Sequence, residues 1–366
     1  MRPWRPRTVP AASRRGRSPT PIPPAAGAAR SGSRGQTLRG PGPWHPLLED
    51  ASPSAAMKTV GLSAADAGAE NRVGASVSDP EGLTRYEIRL GDGLAWLAAR
   101  AANSVHAIVT DPPYGLKEYT EAEKRKLRRG RGGVWRIPPT LDGCRRSPLP
   151  RFTVLNAEDR GALIGFFEAF ARAALPVVVP GGHVFIATNP LLSHLVYGAL
   201  VEAGFEKRGE IIRLVQTLRG GDRPKNAHLE FVGVSVMPRS GWEPWGLFRK
   251  PCEGRVQDNL RKWKTGGLRR ISSTEPFGDV IRSAPTGAAE RRLAPHPSLK
   301  PQAFMRRIVH AALPLGEGIV LDPFMGAGST IAACAALGYR AIGIELDPAY
   351  FAMAHGAIDA LAHLRT

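Results

Sequence analysis

Gly318-Ile319-Val320-Leu321-Asp322-Pro323-Phe324-Met325-Gly326-Ala327-Gly328-Ser329-Thr330, with the apolar stretch Ile331 to Leu337 and then Tyr339 to Ile344 ending in Glu345, decides the fold of this 366-residue chain. A short apolar run closes on an acid, a glycine turn follows, and apolar residues at helical spacing lead to a second apolar run. Strand, helix and strand in that order form a β-α-β unit, whose strands are parallel. The two glycines let a ligand approach the backbone, and the helix N-terminus behind them presents free amides. Glu345, at the end of the second strand, stands where an acidic side chain accepts hydrogen bonds from ribose hydroxyls. A nucleoside-containing cofactor is expected. There is no GxxxxGK[ST] P-loop, and the third glycine of the dinucleotide fingerprint is missing.

A second such unit lies far upstream. Arg85 to Leu90 alternates as a strand does, Gly91-Asp92-Gly93 makes a turn, Leu94 to Arg100 has helical spacing, and Val105 to Val109 is a β-branched run ending in Asp111-Pro112-Pro113-Tyr114. That tetrapeptide puts a carboxylate, rigid proline carbonyls and an aromatic face at the carboxyl end of a parallel strand, where open α/β sheets bind ligands. An exocyclic amino group on a nucleobase needs this set: two acceptors for its two N–H bonds and a ring on which to stack.

Between the two units, Leu163, Phe166, Phe167, Phe170 and Ala174 predict a helix, His183 to Ala187 a strand, and Leu191 to Ala203 a second helix. Ile211 to Leu214 and Leu229 to Met237 read as two further strands. Residues 238–295 read as irregular, a linker or recognition segment in which Trp242, Trp245, Trp263 and Phe277 are interleaved with basic residues. Pro301 to Leu313 reads as a helix.

The charge is strongly positive, 50 Lys and Arg against 32 Asp and Glu, or +18. Residues 1–48 supply nine arginines and no acid, so half of that excess belongs to one segment. Residues 117–151 add a net +7, through Lys124-Arg125-Lys126, Arg128, Arg129, Arg131, Arg136, Arg145, Arg146 and Arg151 among others. So one-signed an insert points to a polyanion such as nucleic acid. Residues 1–80, rich in Pro, Arg, Ala, Ser and Gly, show no period and read as a disordered tail, with Met57 as an alternative first residue. Cys144, Cys252 and Cys334 form no CxxC pair, which argues against a disulfide framework or thiolate metal site and suits a reducing cytoplasm. No stretch approaches the roughly 18 apolar residues of a spanning helix.

These motifs resemble the amino-methylating DNA methyltransferases that use S-adenosylmethionine, in the β-class arrangement where DPPY precedes FxGxG. The resemblance runs from about Tyr86 to Ala354 and includes His296-Pro297-Ser298-Leu299-Lys300-Pro301, similar to the family's HPTQKP element. It implies a permuted, Rossmann-like α/β fold. If the strand ending at Asp322 and the strand ending at Glu345 are the first and second, Tyr86 to Leu90 is the third and Ala107 to Thr110 the fourth. It further implies that Asp111 and the Pro112 carbonyl, with Pro113 behind them, hold the target amino group, and that Tyr114 stacks on the flipped base. Phe324, Gly326 and Gly328 would line the methionine side of the cofactor above Asp322, Glu345 would bind its ribose, Asp92 its adenine end, and Lys300 would belong to the element beside it. No metal is needed.

The implied partner is duplex DNA, read in part by Arg128, Arg129, Arg131, Arg136, Arg145 and Arg146, which places the protein at the nucleoid. A second copy of the chain and a cognate restriction endonuclease are further candidates. DPPY leans toward N6 of adenine, with N4 of cytosine as the alternative, since SPPY is more often the cytosine form. RNA or protein methyltransferases usually carry NPPY. A catalytically silent nucleic-acid-binding protein has no need of both pockets.

Overall fold

The computed structural model describes residues 72–78, 84–113, 157–215, 224, 227, 229–236, 238, 241–296 and 298–366. Tyr114 and the basic segment from 117 to 151 lie outside the described residues. The strands are β1 (Arg72–Ser78), β2 (Thr84–Leu90), β3 (Val105–Thr110), β4 (Val178–Ala187), β5 (Glu206–Leu214), β6 (Trp242–Arg249), β7 (Val280–Arg282), β8 (Ile319–Asp322) and β9 (Arg340–Glu345). The helices are α1 (Gly93–Ala99), α2 (Ala157–Val177), α3 (Ser193–Glu202), α4 (Val256–Trp263), α5 (Ala288–Leu293), α6 (Gln302–Ala312), α7 (Ser329–Leu337) and α8 (Pro348–Ala362).

The nine strands among the described residues join one sheet in the order β1-β2-β9-β8-β3-β4-β6-β5-β7. From β2 to β4 the strands run parallel. The expected permutation is therefore realised, because β2, β9, β8 and β3 stand side by side as third, second, first and fourth. Ala107 pairs with Val320 and Ile108 with Leu321, which joins the two ends of the chain at the middle of the sheet. Helices cover both faces, so these strands read as continuous apolar runs. One core gathers Val109, Val320, Phe304, Ile308, Ile331 and Ile358; the other gathers Ile108, Leu321, Phe167, Phe170, Val196 and Leu200.

Three expectations need correction. Residues 72–78 of the segment read as disordered form edge strand β1, antiparallel to β2. Few large apolar residues mark that stretch, and its backbone pairs with an available strand edge. Leu229 to Met237 is not a strand: its described residues form turns and bends, with Leu229 81% and Val232 69% exposed. The place in the sheet belongs to β6, antiparallel between β4 and β5. Pro244 and Gly246 disguise β6, since both are depleted in strands. Gly246 is required because a Cβ there would lie 2.5 Å from the Tyr197 ring.

The third correction concerns residues 238–295, which contribute β6, α4, β7 and α5 to the body of the molecule. Trp245 is fully buried, and Trp263 donates to Glu253 on the segment that Asn259 fastens to Pro180 near the amino end of β4. Neither can stack on a base beside Asp111. Helix α8, which buries Ala354, Ala357, Ile358 and Leu361 along one face, starts at a recognisable signal: Asp347 accepts from Ala349 N and Tyr350 N, and Pro348 follows it.

Candidate active site

Parallel strands end together, so the residues just past β3, β8, β9 and β2 meet in one crevice. Asp322 ends β8 and takes hydrogen bonds at Oδ1 from Thr110 Oγ1 (2.7 Å) and from Phe324 N (3.1 Å). It is 3% exposed, and burial pushes its pKa up to about 7 against the opposing hydrogen bonds from Thr330, Thr110 and Phe324.

Asp111 follows β3. Its Oδ2 is 2.9 Å from Lys300 Nζ, while its Oδ1 is buried and has no partner among the described residues. Lys300 Nζ also lies 3.3 Å from Glu243 Oε1 on β6. Glu243 accepts from Trp245 Nε1 (2.8 Å) and from Arg213 Nη1 (3.1 Å). Arg213, on β5, is anchored in turn to Ser283 Oγ and the Ala284 carbonyl, both at 3.0 Å. Two carboxylates and two cations thus alternate. Burial raises the pKa of Asp111 although Lys300 works against it. Burial acts the same way on Glu243, but Lys300 and Arg213 outweigh it and hold that carboxyl below the usual range. Pro112 is buried and Pro113 exposed.

The glycine loop lies beside this group. Phe324 packs on Phe166 and Phe170, with ring centroids 5.7 Å away in each case. Gly326 has φ +53°, and its amide donates to Glu345 Oε2 at 2.8 Å. Glu345 Oε1 accepts from Asp347 N at 2.8 Å, and burial raises this carboxyl's pKa. Gly328 has φ +82°, and a Cβ there would stand 2.6 Å from Ile358 Cγ1. Its glycine is thus explained by the packing of α8 against the start of α7.

Asp92 caps α1 by accepting from Leu94 N at 2.7 Å and Ala95 N at 3.4 Å. The next residue, Gly93, passes so close to the β8 loop that a Cβ would meet the Pro323 carbonyl at 2.2 Å. Gly91 N donates to the Glu345 carbonyl at 2.9 Å. Asp92, Asp322, Phe324, Gly326 and Glu345 therefore surround the ends of three adjoining strands. An acid at the end of β9 and the glycine loop suit a nucleoside-type cofactor. Lys300 divides between the two halves, since its amide meets Ser329 Oγ at 3.3 Å while its ammonium reaches Asp111.

Several residues escaped sequence reading. Arg213 was visible as a charge within the apolar run Ile211 to Val215, and such a charge needs a buried partner. No local signal identifies Glu243 or Trp245 as its neighbours. His296 lies edge-on to Tyr350 at 4.3 Å and beside Gly326, with its pKa pushed down to about 4 by burial and Lys300. At the end of β4, Asn189 Oδ1 accepts from Leu191 N at 2.9 Å, which fixes its amide orientation. Asn189 Nδ2 and Thr188 Oγ1 are buried and without partners among the described residues, as is Asp111 Oδ1 on the neighbouring strand. Among the described residues there is no His, Cys, Asp and Glu cluster that could hold a metal, and no helix long and apolar enough to cross a membrane.

The family described as DNA methylase (N6_N4_Mtase) matches residues 105–356. Type II methyltransferase M.XycI of Xanthomonas campestris pv. cyanopsidis is 28% identical over 295 residues, covering 75% of this chain and 86% of that protein. DNA adenine methyltransferase YhdJ of Escherichia coli K12 is 41% identical over 68 residues, 19% of this chain and 23% of that protein. Type II methyltransferase M2.DpnII of Streptococcus pneumoniae is 30% identical over 93 residues, 25% of this chain. The chain thus spans only about a third of M2.DpnII and a quarter of YhdJ. Among solved structures, the cytosine-N4-specific PvuII DNA methyltransferase superposes with a TM-score of 0.50 at 14% identity, over 81% of this chain and 91% of that one, a likeness of fold. With the family match running over more than half of the chain and across both motif-bearing strands, this protein belongs to the N6/N4 DNA methylase family.

Proposed function

We propose that the protein transfers a methyl group from S-adenosylmethionine to the exocyclic N6 of adenine in duplex DNA. The observation that carries this reading is Asp111 Oδ1, an unpartnered buried acceptor among the described residues, at the strand end that adjoins the Gly326 and Glu345 loop. A buried acceptor without a donor is costly unless a ligand supplies one. The target amino group supplies two N–H bonds, one for Asp111 and one for the Pro112 carbonyl, and Tyr114 offers a ring to the flipped base.

The cofactor supplies a methyl group on a positively charged sulfonium, which departs as a neutral thioether and needs no acid. Glu345 would hold its ribose, Asp92 would lie toward its adenine end, and Asp322, Phe324, Gly326 and Gly328 would border its methionine side. Asp111 performs the polar work on the base. An amine conjugated with its ring is a weak nucleophile, and a carboxylate accepting one N–H favours the pyramidal nitrogen of the transition state. As positive charge gathers on that nitrogen, the same oxygen is the nearest anion and the first acceptor for the proton it sheds. Holding both reactants in attack geometry supplies much of the remaining rate.

DPPY supports adenine; the fold likeness to a cytosine-N4-specific enzyme keeps N4 of cytosine as a second reading. The basic insert supports duplex DNA as the partner, and the type II relatives support a restriction-modification setting. Incubation with unmethylated genomic DNA and S-adenosylmethionine, followed by mass spectrometry of the nucleosides, tests the reading with Asp111→Ala as control. N6-methyladenine made only by the intact protein is expected. N4-methylcytosine would transfer the reaction to the other base, and neither product despite cofactor binding would overturn the activity.

A further inference from the structure

We infer that Lys300 and Glu243 are a positioning pair for the base site: Lys300 holds Asp111 by Oδ2 so that Oδ1 alone is left for the target amino group, and Glu243 offsets the charge of Lys300. The second half rests on the methyl-transfer reading above. Sequence reasoning assigns Lys300 to the cofactor side, yet its ammonium spans Asp111 Oδ2 at 2.9 Å and Glu243 Oε1 at 3.3 Å. The side chains of Lys300, Glu243 and Arg213 are 10%, 18% and 6% exposed, so water screens these charges little.

The pair resolves a conflict in the chemistry. Buried beside Asp322 and Glu243, Asp111 would be driven further toward its uncharged form, a weaker acceptor, without a cation next to it. That cation lies near the nitrogen on which positive charge develops, so left uncompensated it would oppose the reaction. Glu243 compensates it, and Arg213, with the Trp245 N–H, keeps Glu243 ionised and in place. Among the described residues, the charged groups facing Asp111 are Lys300 before α6, Glu243 on β6, Arg213 on β5 and Asp322 on β8, with His296 beside Lys300.

Opposite responses to two substitutions test the pair. In Lys300→Met the two carboxylates repel directly, and Asp111 should ionise at a higher pH. In Glu243→Gln, which can still accept the Trp245 hydrogen bond, Asp111 keeps its cation, loses its repelling neighbour and should ionise at lower pH. The readout is a carboxyl-13C aspartate NMR titration of each full-length protein, with the signal assigned by Asp111→Asn. It needs no turnover and stands if methyl transfer itself is absent. Where wild type is active, tritiated methyl transfer to unmethylated genomic DNA should lose at least tenfold in kcat in both variants, with KM for S-adenosylmethionine within about twofold and the acid limb of the pH profile moving in the two opposite directions. Lys300→Arg should restore the wild-type limb. Shifts in the same direction, no shift, or a loss confined to the cofactor KM would overturn the inference. If Lys300→Met does not fold, the Glu243→Gln and Lys300→Arg titrations decide it.

Discussion

Gly328→Ala separates two reasons for a glycine in the cofactor loop. The residue has φ +82°, and a Cβ would meet Ile358 at 2.6 and 2.9 Å and Ala354 Cβ at 3.4 Å. A side chain in the left-handed region costs roughly 1–2 kcal/mol, and forcing a methyl into a packed site adds about 1–3 kcal/mol. The sum, roughly 2–5 kcal/mol, is a large part of the 5–15 kcal/mol typical of a folded domain. Urea unfolding of cofactor-free protein should show a lower midpoint with an unchanged slope. Ile358→Ala removes the obstacle at its own cost of roughly 2–5 kcal/mol, and because the new methyl then occupies vacated space, the double mutant should be more stable than additivity predicts by about 1–2 kcal/mol. A loss below about 1 kcal/mol for Gly328→Ala, or strict additivity, would refute the packing argument and return this glycine to ligand approach.

Three further outcomes are expected. Burial, with Arg249 and Arg208, pushes the His183 pKa from 6.5 down to about 3, so its neutral form contributes stability that is complete above pH 6.5 and declines as pH falls. Unfolding free energy should drop by on the order of 3 kcal/mol between pH 7 and pH 4, and His183→Gln should flatten that part of the curve; parallel curves would contradict it. Asp322 behaves in the opposite sense: its pKa, raised to about 7, contributes stability that is complete below about pH 4 and lost as pH rises through 7. Asp322→Asn should therefore gain on wild type by on the order of 3 kcal/mol from pH 4 to pH 8, a trend that chemical denaturation at several pH values would show or exclude. Replacing Arg128, Arg129 and Arg131 together by Ala should weaken DNA binding and lower the slope of log K against log salt by up to about 0.9 for each phosphate no longer neutralised; an unchanged slope would remove the insert from the DNA interface.

Much of the architecture is written locally. An apolar run closed by Asp322 and a glycine turn, or by Asp111 and two prolines, is recognisable without knowledge of distant neighbours, because period and punctuation act within a few residues. For that reason both β-α-β units were legible in advance, while the adjacency of β8 and β3 across the permuted ends was an implication of the family resemblance that the sheet order bears out. Strand membership elsewhere was not legible. Leu229 to Met237 reads as a strand yet its described residues, 229–236, stay out of the sheet, while Trp242 to Arg249 enters it despite Pro244 and Gly246. A strand needs partners, and partners are non-local. The candidate site divides the same way: by itself the sequence determined Asp111, Glu345 and the glycine loop, whose residue types announce their chemistry at a strand end. Only the tertiary structure decided that Lys300 reaches Asp111, that Glu243 and Arg213 complete the charge pattern, and that Gly328 answers to Ile358. The physical reason is that a buried charge or a missing Cβ is explained by whatever lies opposite it, and the fold alone brings those residues face to face.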